Sequence, residues 1–328
     1  MEPGIIQGEK MVIRAVTIAM RQTLDRHGVS EQVKRTFGCV LFDEIQGAPA
    51  NTAYRILDSF PARYRIGVSA DERRVDHKES LTYDLLGKAA ADIPSAALLA
   101  EKVIMPVDLV AVPTDFRAEW KSAEASFLED SRTGDLARDY KRLCDELVVD
   151  AARNDQIVDI VLREIRAGEQ VLVLTTRVQH ALTLRKQIVD AGFLCGLLVG
   201  EYPKERPATE AGLLDGSLRV AVGTVKASGT GLNFPWLSVG VLALPIGKEN
   251  SYQLGQTKGR FCRAPAGKTS AKLYAMVDLA VFGTEVLRRL ARWQRASGIG
   301  GMFVLDRSDG DLLSVEEFIR RSRSGRRR

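Results

Sequence analysis

The stretch DQIVDIVLREIRAGEQVLVLTT (residues 155–176) decides the fold class. In its first part apolar residues recur three and four apart, the period of a helix with one buried face. Gly168 supplies the stop, and VLVL then reads as a strand buried on both faces. The alternation repeats downstream, with helices at 178–192 and 206–216 that also end in Gly (Gly192, Gly216). Strand-like runs follow at FLCGLLVG (193–200), LRVAVGT (218–224), VGVLALP (239–245) and AKLYAMVD (271–278). Strands separated by helices pair in parallel, so residues 151–290 predict a parallel α/β domain.

Upstream, FGCVLFDE (37–44) and RYRIGVSA (63–70) are short apolar runs ending in polar residues. Buried parallel strands look like this when chemistry sits at their C-terminal ends. Residues 1–99 are therefore expected to form a first α/β domain. The charged, helix-periodic stretch 100–150 reads as a helical connection between domains. Beyond residue 290, a strand-like MFVLD (302–306), a turn and the helix SVEEFIRR (314–321) form a C-terminal extension over 291–328. Ser314 and Glu317 stand at capping-box spacing.

With 328 residues, 45% hydrophobic and 27% charged, the chain fits two globular domains. It has no run of about 18 apolar residues, which excludes a helical membrane span from the expectation, and no signal-peptide pattern begins it. Cys39, Cys144, Cys195 and Cys262 are far apart and the histidines are three, a poor basis for a zinc site or a disulfide framework. A reduced, cytoplasmic protein is expected. The net charge of +5 resides in the last nine residues, RRSRSGRRR, which carry six Arg; without them 41 basic residues face 42 acidic ones. That tail suits either phosphate neutralisation or simple solvation.

Four stretches carry candidate chemistry. Asp43 and Glu44 end the first apolar run; the first carboxylate of such a pair can hold Mg²⁺ and the second can orient a water. GVSADERRVD (67–76) ends the second run. VGTVKASGTGLNFP (222–235) offers a Gly-rich turn after a strand. QLGQTKGRFCR (253–263) holds Gln256, Gly259, Arg260 and Arg263 as Q-x-x-G-R-x-x-R, and two Arg at i and i+3 share a helix face spaced for one polyphosphate. Gly267-Lys268-Thr269 invites a phosphate-loop reading. That motif needs a Gly where Cys262 stands and a helix where AKLYAMV promises a strand, so the tripeptide reads as a connector.

In this order and spacing the stretches resemble a superfamily 2 helicase, nearest to phage recombination helicases, XPB-like repair helicases and type III restriction subunits. FGCVLFDEIQGAPA is similar to motif II, with Gln46 where His is usual. RYRIGVSADERRVD is similar to motif III, with Asp71 and Glu72 departing from its Thr-Pro. GTVKASGTGLNFP resembles motif V, with Asn233 for Asp, and QTKGRFCR resembles motif VI. GIIQGEKMVIRAVTIAMRQTL near the start resembles the approach to motif Ic. The resemblance implies two RecA-like parallel-sheet domains, the first incomplete at its N-terminus.

It also implies ATP and Mg²⁺ as cofactors and DNA, single-stranded or branched, as partner. Asp43 would bind Mg²⁺ with Glu44 behind it, while Arg260 and Arg263 act on the γ-phosphate. Gln46, Gly231, Asn233, Gln256 and Gly259 would line the nucleotide cleft, and Thr17, Thr176 and Thr224 would touch the nucleic-acid backbone. No G-x-x-x-x-G-K-[ST] occurs in the 328 residues. The expectation is thus the C-terminal portion of a helicase or translocase that needs a Walker A-bearing partner or segment. The alternatives are a non-catalytic nucleic-acid-binding module and a truncated gene product. Strands near Val16 and Val40 should then show an open apolar face or edge.

Overall fold

The computed structural model describes residues 2–44, 51–69, 79–118, 134–227, 234–245, 258–263, 265, 267–298 and 300–325. It separates into two compact units, Met1–Asp92 and Ile93–Arg328. No described helix is long and apolar enough to cross a membrane.

In the first unit, β1 (Gly4–Gln7), β2 (Lys10–Val12) and β3 (Thr17–Ala19) form a small sheet in the order β2-β1-β3. β1 runs antiparallel to β2 and parallel to β3. A separate parallel pair joins β4 (Cys39–Asp43) to β5 (Tyr64–Val68). Ile6, Leu24, Val33, Phe60 and Ala62 make the unit's main apolar cluster. Several apolar side chains are open: Val16 and Ile18 are each 59% exposed and Leu41 is 62% exposed, with Ile66 also exposed. For Leu41 and Ile66, alternation along β4 and β5 explains this, because every second side chain points away from the covered face.

The second unit is built on an eight-stranded sheet. Its strands are β6 (Val107–Pro113), β7 (Val171–Thr175), β8 (Cys195–Leu198), β9 (Val220–Thr224), β10 (Val239–Leu242), β11 (Ala271–Val277), β12 (Met302–Leu305) and β13 (Leu312–Leu313), in the order β13-β12-β6-β11-β10-β7-β9-β8. Every neighbouring pair is parallel except β12 with β13. Period-2 alternation splits the core into two layers. Leu172, Leu174, Leu273 and Ala275 enter one; Val171, Val173, Tyr274 and Met276 enter the other. Helices at Ala151–Arg166 and Val178–Asp190 cover the second layer.

Two expectations are corrected here. Residues 100–150 are more than a helical connection, because VDLVAVP becomes β6, between β11 and β12. The segment after residue 290 is no appendage either: β12 and β13 extend the same sheet, and Val304, Val315 and Ile319 enter its core. In both places a short run is mostly apolar, and pairing with the sheet buries those side chains.

Candidate functional site

In the first unit the chemistry is placed at the end of β4. Asp43 lies in register with Val68 of the parallel β5, so both strands finish at one edge. The Asp43 carboxylate accepts the Glu44 N–H at 3.0 Å through Oδ1. Glu44 takes φ 58, a left-handed conformation just after the end of β4. Both residues are exposed. Thr17 opens β3, and its hydroxyl is engaged by one residue: it accepts the Arg14 N–H at 3.0 Å and donates to the Arg14 carbonyl at 2.8 Å.

In the second unit the C-terminal strand edge is bound together by a buried polar network. The Arg153 guanidinium donates to Asp278 Oδ1 at 2.9 Å and to the Ala243 carbonyl, and Thr114 donates to the same Asp278 oxygen. Asp278, Ala243 and Thr114 follow β11, β10 and β6 directly, so one cation ties three strand ends. Beside it, His180 bridges Thr175 Oγ1 at 3.0 Å and Asn154 Oδ1 at 2.8 Å. Burial, followed by the Arg153 charge, pulls His180 down to about 3, which keeps the ring neutral. Thr175 and Thr224 are paired in register across β7 and β9, which brings Thr176 and Thr224 to the same edge. Thr176 is exposed, and Thr224 Oγ1 accepts the Ala227 N–H at 3.3 Å.

Arg260 and Arg263 belong to a turn that begins as a helix at residues 258–261. Phe261 between them is fully buried and roots the turn in the core. Its ring lies against Gly240, where an added Cβ would come within 2.6 Å of Phe261 Cζ, so β10 needs glycine there. Backbone pairing holds the exit: the Met105 N–H donates to the Cys262 carbonyl at 2.7 Å, and Ile104 bridges Arg263. Arg260 is half-buried. Burial, and then the neighbouring Arg263 charge, hold its guanidinium below the ordinary range, and no carboxylate pairs with it among the described residues. Arg260 is thus a half-buried cation held close to a second one, Arg263.

No family model matches the chain. It is 26% identical over 284 residues to a DNA 3'-5' helicase XPB of Kineococcus radiotolerans, covering 84% of this chain and 47% of that protein. It is 22% identical over 293 residues to a probable helicase D10 of Escherichia phage T5, covering 88% and 58% respectively. Among solved structures, a fragment of a putative HsdR subunit of a type I restriction enzyme from Vibrio vulnificus superposes with a TM-score of 0.65 at 16% identity, covering 95% of this chain and 56% of that one. Dbp5 of S. cerevisiae, bound to RNA and ADP BeF3, gives 0.58 at 13% identity, covering 94% and 71%.

The helicase relatives support a protein of the superfamily 2 helicase type. The parallel sheet and its solved neighbours are RecA-like. The chain spans about half the length of the helicase relatives it matches (47% and 58% of these two).

Of the residues expected at the site, Gln46, Gly231, Asn233 and Gln256 lie outside the described residues, as do Asp71 and Glu72. Gly259 is exposed at the start of the arginine turn. Two lysines hold that turn: sequence reasoning passed over Lys258 and read Lys268 only as part of a connector. Lys258, 2% exposed, donates to Gln294 Oε1 at 2.9 Å and Ser297 Oγ at 2.6 Å, with Trp293 at 5.3 Å. Lys268 donates to the Phe261 and Leu237 carbonyls at 2.8 and 2.7 Å. The GKT lysine thus faces backbone carbonyls, and β11 rather than a helix follows it. A cue was present in the sequence only as two lysines flanking an apolar Phe-Cys pair.

Proposed function

We propose that this chain supplies the motif II and motif VI chemistry of an ATP-dependent DNA helicase or translocase, with the phosphate loop provided from outside these 328 residues. The observation that carries the reading is the Arg260–Arg263 pair: half-buried at Arg260, mutually repelling and rooted by Phe261. A γ-phosphate relieves that repulsion, most of all as charge develops on it during transfer. Gln256 and Gly259 belong to the same stretch and are proposed as nucleotide contacts, as are Gln46, Gly231 and Asn233.

Asp43 fits Mg²⁺. Its Oδ1 is taken by the Glu44 N–H, which leaves the other oxygen of an exposed carboxylate at the strand edge. Mg²⁺ is held by one or two carboxylates and phosphate oxygens, with waters completing the shell. When bound, the ion neutralises phosphate charge. Glu44 is proposed to orient the attacking water. Thr176 and Thr224, together at one sheet edge, and Thr17 are proposed as backbone contacts, which position without reading sequence.

The open apolar residues Val16, Ile18, Leu41 and Ile66 support docking of a polypeptide that carries the phosphate loop, by sheet completion. A non-catalytic nucleic-acid-binding role is the second reading, favoured by the absence of a phosphate-loop motif in these residues. Glu44→Gln separates the two. In the assembled enzyme it should lower ATP turnover by about 10²- to 10⁴-fold with nucleic-acid affinity retained. Turnover that survives the substitution contradicts the assignment.

A further inference from the structure

Lys268 stands in the turn that enters β11, with its amine directed inward. Nζ donates to the carbonyls of Leu237 at 2.7 Å, Phe261 at 2.8 Å and Arg263 at 3.2 Å, with that of Pro235 at 3.5 Å. Two of these carbonyls belong to the turn that leaves the Gly-rich stretch 222–235, and two to the arginine turn. All four are backbone groups. An ammonium has three N–H donors and no acceptor, which matches the three shorter contacts. A neutral amine has one donor fewer and sets its lone pair against a carbonyl oxygen.

We propose that Lys268 is a positioning residue whose charged amine clamps the turn carrying Arg260 and Arg263 to residues 235–237, so that both segments move as one, and that losing its proton releases them. The clamp itself stands on geometry alone; its consequence for turnover rests on the phosphate role of the two arginines.

The groups facing this amine set where release occurs. Burial is the largest influence and lowers Lys268 to about 8; the Cys262 thiol and Glu169 oppose the shift, and Arg263 adds to it. The clamp is therefore complete below about pH 8 and lost above it. Global stability runs the other way. Because the folded state gives up this proton before the unfolded chain does, the linkage raises stability as pH climbs through that window. Lys258 titrates in the same range, lowered by burial to about 8 with Cys262 and Asp108 opposing, but its amine meets Gln294 and Ser297 and is reported by Trp293 instead.

Trp236 is half-exposed and sits between the clamped carbonyls of Pro235 and Leu237, so it reports on Lys268. The test uses the full chain with Trp120→Phe and Trp293→Phe, following Trp236 emission against pH together with amide exchange at residues 261–263. The expected result is an emission step centred at about 8 that disappears in both Lys268→Met and Lys268→Arg. Lys268→Met should lower protection from exchange at 261–263 by about tenfold, while Lys268→Arg, which stays charged, should preserve that protection at every pH. In the assembled enzyme Lys268→Met should lower turnover by about 10²-fold through misplaced arginines.

A step that persists in either variant overturns the clamp, and Lys268→Arg decides alone if the Met variant does not fold. Unchanged exchange in Lys268→Met also overturns it. Lost protection with full turnover overturns the positioning role. Emission and exchange need no ATP hydrolysis, so failure of the clamp and failure of the proposed function are distinguishable.

Discussion

Arg153 and Asp278 are both fully buried and meet at 2.9 Å, although 125 positions separate them in the chain. Charges removed from water are tolerated only when paired and hydrogen-bonded. Here the pair also holds the ends of β6, β10 and β11 through Thr114 and Ala243. Removing one partner leaves the other uncompensated. Arg153→Met or Asp278→Asn is expected to cost about 3–5 kcal/mol, measured by urea denaturation of the purified chain. The double variant should recover part of that loss.

His180 makes acid stability a test of the same edge. Its folded value, about 3, lies below the ordinary 6.5. The unfolded chain therefore takes up the proton first. The stabilising contribution is full above about 6.5 and is lost as pH falls from there toward 3. Replacing His180 by Gln should flatten the fall in stability across that window by a few kcal/mol at most, read from denaturation midpoints at several pH values. A fall as steep as that of the parent would show that His180 is not its source.

Much of the second unit was legible because its strands are apolar runs too short for helices and its helices end in Gly168, Gly192 and Gly216. β6 was not. VDLVAVP stands between Pro106 and a long charged stretch, and the average over residues 100–150 hid seven apolar-rich positions inside a helical texture. The capped helix after Ser314 was foreseen, and Ser314 Oγ does accept the Glu317 N–H at 3.2 Å. The pairing of β12 with β6 was not foreseen, since strand partners across such separations leave no local signal. Lys268 shows the same limit: the tripeptide is visible in the sequence, but the four carbonyls that surround it are brought there by the fold.

The arginine turn predicts a kinetic signature. Arg260→Ala or Arg263→Ala should lower ATP turnover in the assembled enzyme by roughly 10³- to 10⁵-fold while nucleic-acid binding stays nearly intact. Steady-state hydrolysis and fluorescence anisotropy on the same preparations check both halves. A loss below about tenfold in both variants sinks the motif VI assignment.

The C-terminal arginines predict a salt effect of limited size. Arg321 already meets Asp306, Asp309 and Glu317, so part of the positive charge is answered within the fold. Deleting residues 322–328 removes four Arg and leaves those pairs. If the tail binds phosphates, the log–log salt slope of single-strand affinity should fall by up to about 3 units. An unchanged slope marks the tail as solvated.

The carboxylates and arginines of this chain are proposed to act on a phosphate tail cradled by a loop from outside it. The direct measurement is ATP hydrolysis by the 328-residue chain with saturating DNA, first alone and then mixed with a polypeptide bearing the phosphate loop. No DNA-stimulated hydrolysis by the chain alone is expected. Turnover should appear on mixing and vanish again when the partner's loop lysine is replaced. Robust DNA-stimulated hydrolysis by the chain alone would contradict it.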